Sequence, residues 1–183
     1  MQSTENMIFS GMKFRNFGAD NCYRIEESQL YQKSLRHLGF KAVEFVTYRS
    51  ASDAEESRLI FVEAKTSLRQ KNAELRFVDE IANISQKFID SLQIVCGIWH
   101  GGRKGKVPLP VNFDRFRENG NKIVFVLVVK NSDKKDLLAV AESISKKLLK
   151  EIRLWRFDVK VLNEELAQKE SFVLIDESNE PEI

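Results

Sequence analysis

The stretch Phe61-Val62-Glu63-Ala64-Lys65-Thr66 decides how this chain is read. Leu59-Ile60 precedes it, so a run of apolar, strand-favouring residues leads straight into two charges two positions apart. Alternate side chains of a strand share a face. Glu63 and Lys65 therefore project together, and Ala64 projects to the other side. A buried sheet face gains little stability from an ion pair, because desolvation offsets most of the attraction. The pair points to chemistry.

Working outward, residues 41–49 alternate and are rich in β-branched and aromatic types, which predicts the preceding strand. It carries a single acid in an apolar setting, Ala42-Val43-Glu44-Phe45-Val46. Glu44 and Glu63 on neighbouring strands supply the oxygen ligands that Mg²⁺ or Mn²⁺ takes, with water and a substrate phosphate completing the shell. The alternative for Glu44 is an edge-strand charge that discourages aggregation. A helix is expected over residues 24–38, stopped by Gly39. At 100° per residue, Glu27 falls inside the arc of Leu30, Tyr31, Ser34 and Leu38, and Glu26 falls outside it. Glu27 is thus either a third inward acid or a first-turn acid complementing the helix dipole.

A helix bearing an acid, a strand with Glu44, a strand with Glu63-Ala64-Lys65, a long helix and a further strand together resemble the PD-(D/E)xK nuclease superfamily. The resemblance covers residues 24–99. It implies an α/β (α+β) fold with a restriction-endonuclease-like αβββαβ core and a mixed central sheet flanked by helices. It also implies Mg²⁺- or Mn²⁺-dependent hydrolysis of phosphodiester bonds, in DNA more than RNA, in restriction, repair or anti-phage defence. Glu44 stands at the first acid, Glu63 at the second, Lys65 at the lysine and Glu27 at the optional helix acid. Three departures stand out. The first acid is Glu rather than Asp, no Pro precedes it, and only two clear strands lie between the helices where the family has three. The missing strand either comes from the N-terminal segment or is degenerate. The alternative function is a catalytically inactive nuclease-like module that binds nucleic acid or a protein partner. A third reading is a small α/β protein whose charged strand is only an exposed face.

Elsewhere, residues 7–17 suggest a leading strand or hairpin, and Asn72 is expected to cap a helix reaching Leu92, with a short strand at 94–99. The segment Gly101-Gly102-Arg103-Lys104-Gly105-Lys106 reads as a basic loop that either binds phosphate through Arg103, Lys104 and Lys106 or is merely solvated. A polar stretch follows Pro110. Then come a strand at 122–130, a helix at 133–152 and short strands at 156–162 and 172–175. Residues 1–175 read as one domain extended at its C-terminus, and 176–183 as an acidic tail.

The chain has 183 residues, 43% hydrophobic and 31% charged, enough to bury a core without staples. A net charge of +2 excludes a wholesale polyelectrolyte binder, so any basic surface is local. Two His and two Cys without CxxC spacing leave no zinc site, and the thiols read as small apolar residues of a reduced, cytoplasmic protein. No signal peptide or membrane span is expected. A homodimer or a larger assembly is the expected quaternary context.

Overall fold

The structure, a computed structural model, describes residues 6–50, 56–68, 74–101, 108–119 and 122–174. A hairpin opens the chain, with strands β1 (Met7–Phe9) and β2 (Met12–Phe14). Its two-residue turn, Ser10-Gly11, has positive φ at both positions, the backbone twist that matches antiparallel strands. Strand β3 (Cys22–Tyr23) follows, then β4 (Phe45–Arg49) and β5 (Arg58–Lys65). Helix α1 (Glu74–Trp99) and helix α2 (Val111–Asn119) lead to β6 (Lys122–Val129). Helices α3 (Lys134–Lys147) and α4 (Leu149–Trp155), strand β7 (Asp158–Asn163) and helix α5 (Glu164–Lys169) complete the fold.

The central sheet runs β3-β4-β5-β6-β7. Its first two pairings are antiparallel and its last two parallel, so this is a mixed α/β sheet flanked by helices. β5 and β6 are its middle, and both read as nearly continuous apolar runs because both of their faces are covered. On one face Leu59, Phe61, Phe125 and Leu127 pack against Ile84 and Phe88 of α1 and Val140 and Ile144 of α3. On the other, Ile60, Val62, Val126 and Val128 pack against Met12 and Phe14 of the hairpin and Ala167 of α5. The N-terminal segment thus supplies both a lid and a third antiparallel strand, β3.

Four expectations are corrected. The helix expected at 24–38 is instead a 3₁₀ turn (Ile25–Glu27), a π turn (Tyr31–Leu35) and a second 3₁₀ turn (Arg36–Leu38). Changing pitch rotates each piece, so a wheel at 100° per residue misplaces its side chains. Leu38 is accordingly 70% exposed rather than inward. Residues 94–99 continue α1 rather than forming a strand, because Phe88, Leu92 and Val95 keep the three-to-four spacing. Residues 133–152 break at Leu148, whose backbone leaves the helical region and divides α3 from α4. At 172–175 the described residues form only a single bridge, Val173 to Phe14, while α5 occupies the stretch before it. Asn72, the basic loop residues Arg103, Lys104 and Lys106, and the 176–183 tail lie outside the described residues.

Gly39 does stop the first helical segment, at φ 84° with open space around its α-carbon. Gly39→Ala is expected to cost about 1 kcal/mol from backbone strain alone. Urea denaturation reads this as a lowered midpoint at an unchanged m-value.

Candidate active site

Phe45 pairs with Val62 at the last rung between β4 and β5. Glu44, expected inside that strand, instead lies in a bend one residue before it, because β4 begins only at Phe45. Its carboxyl still feels the charge of Glu63. Three bonds to α1, and a fourth within α1, hold the lead-in to β4 in this position. The Lys41 N–H donates to Asp90 Oδ2 at 2.8 Å, and the Val43 N–H donates to Ser91 Oγ at 3.0 Å. Lys41 Nζ donates to Asn83 Oδ1 at 2.6 Å, and Gln86 Nε2 donates to Asp90 Oδ1 at 2.7 Å, fixing the acceptor.

Glu63 is fully buried beside Phe61 on the α1 face of the sheet. Lys87 of α1 reaches down to it, and its Nζ lies 2.8 Å from Oε1 and 2.9 Å from Oε2. Lys65 Nζ stands 3.6 Å from Oε1 of the same carboxylate and is a quarter exposed. The expected pairing of Glu63 with Lys65 is therefore present, but Lys87 makes the closer contact. Sequence periodicity carried a signal for Lys87: it sits between Ile84 and Phe88, on a stripe where a lone lysine needs a partner.

The charges interact strongly. Burial pushes the Glu44 carboxyl up to about 7, with the Glu63 charge adding to the rise and Lys87 and Lys65 opposing it. Among the described residues no hydrogen bond or ion pair satisfies it. Burial also raises Glu63, against the pull of Lys87 and Lys65. For Lys87, burial works to lower the ammonium, but Glu63, Glu44 and Glu26 outweigh it and hold the group above the ordinary lysine value.

Glu26, rather than Glu27, is the further acid these groups feel. Glu27 turns outward and pairs with Arg24, one 3₁₀ turn away. Its placement as an inward acid is corrected by the pitch change already described.

Trp99 stacks on Phe116 at 5.8 Å, and His100 Nδ1 lies 2.8 Å from the Cys96 carbonyl. Lys134, Lys135, Lys146, Lys147 and Lys150 are exposed, and Trp155 is 46% exposed. Burial pushes the Cys22 thiol up to about 12 and raises Cys96, so both behave as small apolar groups. Among the described residues, no helix is long and apolar enough to cross a membrane. Among the same residues, no group of three or more His, Cys, Asp or Glu is arranged to hold a metal ion.

No family model matches the chain, and neither the curated proteins nor the solved structures give a significant match.

Glu44 has a pH signature. Its folded value lies above that of a free carboxyl, so the folded state keeps a proton that the unfolded chain has released. Stability of the metal-free protein is expected to fall as pH rises from about 4.5 to about 7 and then to level off on this account. Glu44→Gln should flatten that decline, which thermal unfolding at a series of pH values measures.

Proposed function

We propose that the chain is a divalent-cation-dependent nuclease that hydrolyses phosphodiester bonds in DNA, with the restriction-endonuclease-like core expected from its sequence. The observation that carries the reading is the buried Glu63 near the end of a central strand, with Lys65 beside it and the Glu44 carboxyl close enough to feel its charge. Two interacting carboxylates, one of them without a direct partner among the described residues, make a region that a cation stabilises. Mg²⁺ commonly uses one or two protein carboxylates and fills its remaining positions with water and substrate phosphate. The absence of a three-ligand group among the described residues is compatible with such a site.

Glu44 and Glu63 would hold the cation, which when bound lowers the pKa of an attacking water and offsets charge on the phosphoryl oxygens. Lys65 orients that water and places its ammonium against the developing charge. Burial of the pair beside Phe61 and Phe88 keeps the local dielectric low, which strengthens each of these effects.

A specific observation favours a second reading, an inactive nuclease-like module that binds a partner. Lys87 engages both oxygens of Glu63, which neutralises the carboxylate without any metal. Incubation with supercoiled, linear and single-stranded DNA and with RNA, in Mg²⁺ or Mn²⁺, separates the two. Cleavage that EDTA stops and Glu63→Gln lacks supports the nuclease. Its absence in every substrate and cation supports the binding module.

A further inference from the structure

We propose that Lys87 is the resident cation of the Glu63 site. Its single positive charge neutralises Glu63 until a divalent cation arrives, and it must release the carboxylate for that cation to bind. The inference rests on the nuclease reading above and adds a control on its metal site.

The geometry divides the site into a fixed half and a movable half. Glu44 belongs to the fixed half, because Asp90 and Ser91 grip the backbone N–H groups of Lys41 and Val43 just before it. Glu63 is fixed by the sheet, paired in register with Leu127 of β6. Lys87 is different. It arrives from the helix on a four-carbon stem, and its side chain retains 18% exposure at the margin of the site. Such a stem can carry its head group to water while its methylenes stay on the apolar surface. No other group in the cluster combines close contact with both Glu63 oxygens and a short path to solvent.

Energetics follow from competition. A cation that binds only when the ion pair is open has its affinity reduced by the fraction of time the pair is open. Lys87 thus weakens metal binding in exchange for stabilising the metal-free fold.

Calorimetric titration of Mn²⁺ into wild type, Lys87→Met and Glu63→Gln at pH 8 tests this. The expected result is Glu63-dependent binding in wild type that tightens about tenfold or more in Lys87→Met. Wild-type binding that is unchanged or weakened in Lys87→Met overturns the inference and leaves the nuclease reading in place. Binding in neither protein overturns both. Should Lys87→Met fail to fold, acylation of wild-type lysines followed by mass spectrometry decides. Mn²⁺ is expected to raise labelling at Lys87 relative to the exposed Lys146, and unchanged or reduced labelling overturns the inference.

Discussion

On the nuclease reading proposed above, Lys65→Ala is expected to lower Mg²⁺-dependent DNA cleavage by about 100-fold or more, the usual loss when one donor to developing charge is removed. Its thermal midpoint should move little. The Lys65 ammonium is 3.6 Å from Glu63 and a quarter exposed, so the attraction lost is that of a partly solvated pair, about 1 kcal/mol or less. Glu63 stays neutralised by Lys87, which leaves no orphaned charge behind. Plasmid relaxation assays alongside thermal unfolding separate the two quantities. A variant as active as wild type would point to a contaminant or to a different catalytic group.

Lys87→Met should do the reverse to stability. It strands the Glu63 carboxylate, which has no exposure, without its nearest partner. Removing one member of a buried ion pair costs about 3–5 kcal/mol. For a chain of this size that is a fall of roughly 10 °C in Tm. The deficit should shrink as pH falls, because burial already raises the Glu63 carboxyl and loss of Lys87 removes what opposes it. In acid the variant binds a proton in place of the lysine. Combining Lys87→Met with Glu63→Leu should recover most of the loss, since a packed apolar pair commonly matches a buried ionic one. Thermal unfolding of the single and double variants at pH 5 and pH 8 measures all three effects.

These two lysines show what the sequence made legible. Strand alternation places Glu63 and Lys65 on one face directly, and apolar runs locate the paired strands β4, β5 and β6 within a few residues. Pairing those strands in a hairpin brings Glu44 near Glu63, but β4 begins only at Phe45, so the acid expected on the strand lies in the bend before it. Lys87 was harder to see, because a helix twenty-four residues on contributes a partner only through its packing on the sheet. Glu26 was missed for a local reason. The first segment alternates between 3₁₀ and π pitch, so no single wheel describes it, and the acid it directs toward the cluster differs from the one an α-helix would. Strand β3 is two residues long and has no period to detect; only its pairing with Val46 and Thr47 defines it.

The central claim is that the buried Glu63, near the Glu44 carboxyl, is a ligand for a divalent cation rather than half of a static ion pair. Electron paramagnetic resonance of Mn²⁺ titrated into the wild-type protein and into Glu63→Gln at pH 8 tests it most directly. The account predicts that wild type depletes the free Mn²⁺ signal at one saturable site that Mg²⁺ competes for, and that Glu63→Gln lacks this site while remaining folded. Equal depletion in both proteins, or none in wild type, would contradict it.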